Sequence, residues 1–264
     1  MTSSAFDALV LAAGRGPDDP MAKAFGVRHK CLLDIAGTPM LIRVLTALAA
    51  SKSVNRIVIS IEDPSIIADA PGFRELAARR PIETIPSANQ ASISVAQALR
   101  SGDMSFPVLV TTADHALLSA EMVDHFCARS HDTGADLTVG LASADTILGA
   151  YPGSARTFVK FADGRYSGCN LFTFNNQNAL KAVDFWQRVE RDRKQPWRLI
   201  KAFGLWPLCA YLTGRLTLEA AFDKGSPRLG VVARPVILPM AEAAIDVDKP
   251  ADLELVEQIL AATP

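Results

Sequence analysis

The chain has 264 residues, 49% of them apolar and 21% charged, with a formal net charge of −1. That apolar share is ample for the core of one large α/β domain. The near-neutral charge gives no reason to expect nucleic acid or a membrane surface as the partner. Cys31, Cys127, Cys169 and Cys209 form no CxxC pair, which argues against structural zinc or a disulfide framework and for a reducing, cytoplasmic setting. No window approaches the roughly 18 uninterrupted apolar residues of a membrane span, and the first residues lack the basic-then-apolar order of a secretory leader.

Residues 8–11 (ALVL) read as a buried strand that breaks at Ala12, Ala13 and Gly14 into a loop bearing Arg15 and Gly16. Pro17-Asp18-Asp19-Pro20, next in line, suits neither helix nor strand. Glycines let backbone N–H groups approach an anion, and three cations, Arg15, Lys23 and Lys30, lie in or just after the loop. The segment is a candidate phosphate cradle. From its glycines alone it reads equally as a plain surface loop, since short Gly-x-Gly matches are common.

Further along, Thr38 suits an N-cap and Pro39 the N1 position of a helix through residues 40–50, with Met40, Val44, Leu45 and Leu48 at helical spacing. Strands are expected at 56–61 and 82–85, with a helix over 72–80 between them. A polar turn, Ser87–Gln90, leads into a helix from about Ser92 to Arg100. Phe106–Asp114 (FPVLVTTAD) is the clearest buried strand and ends on an aspartate. Ser119 caps the next helix, and 135–143 reads as another strand. Strand and helix in alternation predict a doubly wound parallel sheet, whose ligands bind beyond the carboxyl ends of the strands. The glycine loop and Asp114 both fall there.

From about Tyr151 the pattern changes. Residues 156–174 read as a hairpin around the turn Ala162-Asp163-Gly164-Arg165. An amphipathic helix over 177–194, shorter helices over 196–224, a strand at 230–238 and a last helix from Pro250 to Ala261 complete the pattern. No repeat or linker divides the chain. One domain is expected over 1–264, with a nucleotide-binding half to residue 150 and an acceptor-binding elaboration after it. The basic run Arg188, Arg191, Arg193, Lys194 and Arg198 is interrupted by Glu190 and Asp192, which favours a solvated helix face.

The strongest combination is Leu11–Gly16, Lys30, Asp114 and the segment IDVDKPADL (245–253). It makes a complete kit for moving a nucleotidyl group. Backbone donors and cations hold a triphosphate, carboxylates hold a divalent ion that bridges phosphates, and the protein contributes positioning and charge stabilisation. Taken singly, Asp248 also reads as an N-cap of the last helix and Asp114 as a strand-end turn residue.

LVLAAGRG, then HKCLLDIAGTPMLIRVLTAL, TTADHALLSAEMVDHF and IDVDKPADLELVEQIL, resemble the MobA-like nucleotidyltransferases within the superfamily of sugar-phosphate nucleotidylyltransferases and cytidylyltransferases. The matches span residues 7–50, 106–126 and 245–260. The resemblance implies a Rossmann-like, GT-A-type α/β/α sandwich with a mostly parallel sheet and an elaborated C-terminal half. It implies an enzyme that joins an NTP, CTP or GTP, to a phosphorylated small molecule with release of pyrophosphate. Carried over onto this chain, Leu11, Ala12, Ala13, Gly14 and Gly16 would wrap the nucleotide phosphates. Lys30 and Arg15 would neutralise their charge in catalysis, and Asp114 with Asp248 and Asp246 would bind magnesium. Ser87, Asn89, Ser92 and Ser94 lie in a segment similar to the family's base-recognition turn, and an Asn/Ser turn capping a helix reads the same way. Lys160, Gly168 and Asn170 lie where relatives line the acceptor pocket.

Two departures qualify the resemblance. The arginine expected after the second glycine is replaced by Pro17 and Asp18, and the proline expected before the lysine is His29. Arg15, Lys23 or Arg28 would have to supply the lost cation. A catalytically weak or inactive nucleotide-binding regulatory subunit is the alternative that these departures leave open. A dinucleotide oxidoreductase fits poorly, because Gly14-x-Gly16-x-x-Asp19 lacks the third glycine of that fingerprint.

Overall fold

A computed structural model describes residues 5–14, 16–192 and 214–262. Arg15, the basic cluster Arg193, Lys194 and Arg198, and the expected helices between 196 and 213 lie outside the described residues. The architecture is a large, mostly parallel sheet between helical layers. Its strands are β1 (Phe6–Leu11), β4 (Val54–Ile61), β5 (Ile82–Pro86), β6 (Val108–Thr112), β7 (Leu137–Ser143), β8 (Val159–Phe161), β9 (Gly164–Phe174) and β10 (Ala233–Ile237). They run in the order β10-β7-β9-β6-β1-β4-β5, with β8 paired to β9. The two-residue strands β2 (Asp34–Ile35) and β3 (Thr38–Pro39) form a separate ribbon.

Pairing of β1 with β4 and β6, of β4 with β5 and of β7 with β10 is parallel. The expectation of a parallel sheet meets one exception. β9 is reached through the β8 hairpin instead of a crossover helix, so it enters between β6 and β7 antiparallel to both.

Side-chain alternation sorts the core onto two faces. Ala8 and Val10, with Ile57 and Ile59, meet α2 (Met40–Ala50) and α6 (Ala120–Thr133) on one side. Leu9, Val58 and Val110 meet α5 (Ala91–Arg100) and α8 (Leu180–Asp192) on the other, where Phe222 and Leu229 of α9 (Leu218–Leu229) also pack. Each strand between two helical layers buries both faces, which is why residues 8–11 (ALVL) and 57–59 (IVI) are uninterrupted apolar runs.

Several boundaries differ from the sequence reading for local reasons. Thr38 is not a helix cap. Ala36 and Gly37 take positive φ (52° and 80°), Thr38 pairs with Ile35, and α2 starts at Met40 without a side-chain cap. β6 stops at Thr112, which leaves Asp114 in the loop beyond it. Two short helices, α3 (Ser65–Ala68) and α7 (Ala144–Ala150), join the expected α4 (Phe73–Arg79). The helix placed at the end of 196–224 runs on to Leu229 with Pro227 inside it. The last helix, α10 (Pro250–Ala262), is as expected. Among the described residues no helix is long and apolar enough to cross a membrane.

The register sets the functional edge. Leu11 lies opposite Ser60 on one side and Thr112 on the other. The Ala12 amide donates to Ser60 O, that of Ala113 to Leu11 O, and that of Ser87 to Ile61 O. The loops after β1, β4, β5 and β6 therefore leave the sheet at one level.

At the opposite end, Asp124 of α6 ties down the chain after α2. It accepts from Ser51 Oγ at 2.6 Å and from the Ser53 amide at 3.0 Å. Partial burial opposes ionisation, but the bonds from Ser51, Ser53 and Lys52 outweigh it and hold its pKa below the usual carboxylate value. A lowered folded-state pKa stabilises the fold above the unfolded pKa and loses that contribution as pH falls. Asp124→Asn is therefore expected to lower the urea midpoint at pH 7, with the gap to the parent chain closing as pH drops below about 4. A gap independent of pH would show that shape, not charge, is what Asp124 contributes.

Candidate active site

The loop that looked hostile to structure carries its own helix. Gly16–Asp18 forms a 3-10 turn, and α1 (Pro20–Ala24) follows. Asp19 is its N-cap, accepting from the Met21 amide at 2.9 Å and that of Ala22 at 3.0 Å, and Pro20 takes N1, where a missing N–H costs nothing. Met21 then enters a third core with Leu33, Met40, Leu117, Val247 and Val256. This core packs the loop helix against α2 and the C-terminal segment. In the same region the Val247 amide donates to Asp114 O at 3.0 Å.

Those contacts bring three distant residues together. Lys30 Nζ donates to Asp114 Oδ2 at 2.9 Å and to Asp248 Oδ1 at 2.8 Å. Burial alone would depress the Lys30 ammonium, but the two carboxylates more than offset it and its pKa lies above the ordinary lysine value. Asp114 Oδ1 is buried and accepts no hydrogen bond from the described residues. Capping of α10 falls to Asp252, whose Oδ2 accepts from the Asp248 and Lys249 amides at 3.1 Å, while the Asp248 side chain reaches Lys30.

These residues line an open cleft of about 580 Å³. Its wall contains Leu11, Ala12, Ala13, Gly14 and Gly16 of the glycine loop and Ser87, Asn89 and Ser94 after β5. Ser94 is already engaged, its hydroxyl accepting from the Ala88 amide at 2.9 Å. Ser92 is not part of the wall: it faces inward from α5, fully buried, with no partner for its hydroxyl. Ser60 and Thr112, on the strands flanking β1, also belong to the wall, and their buried hydroxyls have no partner among the described residues.

Other predicted residues fall elsewhere. Asp246 does not join Asp114 and Asp248. It is paired with Arg156 and accepts from Asn170 Nδ2 at 2.8 Å, and burial outweighs the Arg156 charge to raise its pKa. Asn170 thus serves Asp246 from a left-handed backbone (φ 50°). Gly168 on β9 and the exposed Lys160 on β8 lie outside the cleft wall. Of the cations proposed to replace the missing arginine, Lys23 pairs with Asp18 on the surface, and Arg28 donates to Ser65 O and Ile66 O. His115 is fully buried and its pKa falls to about 4, chiefly from desolvation, with Asp114 opposing the shift.

Sequence reasoning missed His29 and Glu62. Glu62 is the first residue after β4, so the strand-end rule that selected Asp114 selects it too. His29 Nδ1 accepts from the Cys31 amide at 3.1 Å, which places the ring proton on Nε2, 3.0 Å from Glu62 Oε1. The Gly14 amide also points at Glu62, 3.3 Å from Oε2.

The donor set suits a hard divalent cation. Magnesium is commonly held by one or two carboxylates plus substrate phosphates, and Asp114 and Asp248 converge on one point with one carboxylate oxygen of Asp114 unpartnered. Among the described residues no group of three or more Asp, Glu, His or Cys converges that could hold a metal by itself.

A glycine-bearing strand-end loop, a lysine and two carboxylates at the carboxyl edge of such a sheet define a nucleotidyltransferase of the GT-A-like α/β class. A match to the MobA-like NTP transferase domain covers residues 8–173, and the chain belongs to that family. It is 27% identical to the 2-C-methyl-D-erythritol 4-phosphate cytidylyltransferase of Streptomyces avermitilis, over 96% of this chain and 91% of that protein. Among solved structures, a hypothetical transferase from Thermus thermophilus is 29% identical with a TM-score of 0.77, covering 94% of this chain and 99% of that one. The 4-diphosphocytidyl-2C-methyl-D-erythritol synthase of Anaerococcus prevotii, 12% identical, shares the fold with a TM-score of 0.59 over 98% of this chain and 97% of that one.

Gly14 is required by close approach instead of by its backbone angles. A Cβ there would lie 2.5 Å from His29 Nε2 and 3.2 Å from Glu62 Oε1. Gly14→Ala is expected to lower stability by about 1–3 kcal/mol, and truncating the ring (His29→Ala) should recover most of that loss. Urea unfolding of the two single variants and the double variant measures this coupling. Additive losses would show that His29 does not impose the glycine.

Proposed function

We propose that the chain is a magnesium-dependent cytidylyltransferase that transfers CMP from CTP to a phosphorylated small molecule and releases pyrophosphate. The observation that carries this reading is the convergence of Lys30, Asp114 and Asp248 on one point beside the glycine loop. The choice of CTP rests on the names of the Streptomyces and Anaerococcus proteins, and the phosphorylated acceptor on the substrate in the Streptomyces name.

In this reading the amides of Ala13, Gly14 and Gly16 receive the triphosphate, and Ser87 and Asn89 bound the end of the cleft where the base would lie. An acceptor phosphate oxygen attacks the α-phosphorus as the bond to the pyrophosphate oxygen breaks, so the acceptor needs no general base if it is already ionised. Asp114 and Asp248 raise the Lys30 pKa and favour its charged form, and that charge stabilises the negative charge spread over the α- and β-phosphate oxygens. Asp114 and Asp248 would hold magnesium, which when bound supplies further neutralisation of phosphate charge. Asp114 and Asp248 would then have partners other than Lys30, and the Lys30 ammonium would turn toward phosphate.

Pyrophosphate release is measured with each of the four NTPs against a panel of phosphorylated sugars and polyols. Turnover should need CTP, stop with EDTA and return with added magnesium. Asp114→Asn and Lys30→Ala should each lower kcat by about a hundredfold or more. Undiminished turnover of every competent pair by Asp114→Asn would sink the assignment.

A further inference from the structure

Glu62 occupies a position that nucleotidyl transfer does not require. It lies on the wall of the phosphate cleft with its carboxylate 38% exposed. Both of its oxygens lie within reach of the Gly14 amide, at 3.3 and 3.4 Å. Those are long for an N–H donor to a charged acceptor, which usually lies near 2.7–2.9 Å. The second donor is His29, 94% buried, whose Nε2–H is directed at Glu62 by the Cys31 amide behind it. The ring is held against Gly14 so closely that no side chain fits between them.

We propose that Glu62 is a resident stand-in for a phosphate oxygen, holding the Gly14 amide and the buried His29 N–H until a nucleotide triphosphate displaces it. The inference rests on the nucleotidyl-transfer reading of the cleft. An amide and an imidazole N–H aimed into a phosphate cleft are anion donors, and a carboxylate is the anion within the protein that satisfies both. A carboxylate and a phosphate at one amide repel each other, so an incoming triphosphate must turn Glu62 outward. Its partial exposure and long Gly14 contact leave it room to move. The consequence is a built-in competitor that weakens the binding of polyphosphate anions. Asp19, on the same wall, is locked in its capping bonds and cannot play this part.

The competitor is tested by titrating inorganic tripolyphosphate, which needs neither base nor acceptor, into the full chain and its Glu62→Gln and Glu62→Ala variants by calorimetry. Thermal unfolding establishes that each variant is folded. Both are expected to bind tripolyphosphate about fivefold or more tightly than the parent chain, as removal of one like charge a few ångströms away implies. The difference should narrow as salt is raised, and in the pyrophosphate-release assay KM for the NTP should fall. Equal binding by the parent and the Gln variant, or weaker binding by the Ala variant, overturns the proposal, since Glu62 would then be a strut for the loop. If Glu62→Ala does not fold, the charge-only Gln variant decides. Failure of every form to bind either tripolyphosphate or any NTP would overturn the reading of the cleft as well.

Discussion

The pairing of Lys30 with Asp114 and Asp248 is the interaction the rest of the molecule is arranged to hold. Its three members come from the end of the first loop, the loop after β6 and the segment before the last helix, 84 and 218 residues apart along the chain. Flexible side chains do not hold such a geometry unaided, since ordering a lysine carries a large entropy loss. The backbone beneath each one is fixed independently. Lys30 opens a 3-10 turn that His29 caps, Asp114 follows a strand registered against β1, and Asp248 follows Val247, whose amide is bonded to Asp114 O. The third core, Met21 with Leu33, Val247 and Val256, clamps these supports together.

This arrangement separates the charges that the site uses from those that the fold uses. Asp246 lies two residues from Asp248 and is electrostatically coupled to it, yet it is turned to Arg156 and Asn170. Asp252 is taken up by the helix terminus and by proximity to Arg156. The segment IDVDKPADL thus sends one of its three aspartates to the cleft and two to structure. Alternation turns Val247 to the core and leaves Asp246 and Asp248 on one side; their partners make the split, Arg156 and Asn170 taking Asp246 and Lys30 taking Asp248.

The strand-and-helix order of the first 143 residues was legible because buried parallel strands are short, apolar and β-branched, and helices between them keep a 3.6-residue period. Gly14 and Asp114 were legible from strand-end position, whereas Lys30 and the aspartates of 245–253 were picked out by charge type and by the family resemblance of their segments. The antiparallel insertion of β9 was not, since a hairpin signal says that two strands pair but not which sheet edge or gap receives them. Thr38 was misplaced for a related reason: a Thr-Pro pair starts a helix or closes a tight ribbon, and the positive φ of Ala36 and Gly37 decides between these. Asp246 and Asp248 are equivalent by residue type, and partners far along the chain distinguish them, Arg156 and Asn170 for the first and Lys30 for the second.

The least family-like stretch, residues 16–29, proves to be closely tied down. Asp19 and Pro20 are a helix start, and Met21 is a core anchor. Arg28 fastens the end of the loop to the backbone at Ser65 and Ile66. Of the cations expected to replace the missing arginine, Lys23 is in a surface ion pair with Asp18, Arg28 holds backbone carbonyls, and Arg15 lies outside the described residues. The loop acquires a buried imidazole, supplied by the same residue that takes the place of the expected proline. A proline at that position has no N–H, and its one nitrogen is tied up in the peptide bond, so it cannot cap the Lys30 turn through its side chain or face Gly14 with a donor. His29 does both, and thereby couples the conformation of the glycine loop to the placement of the lysine that follows it.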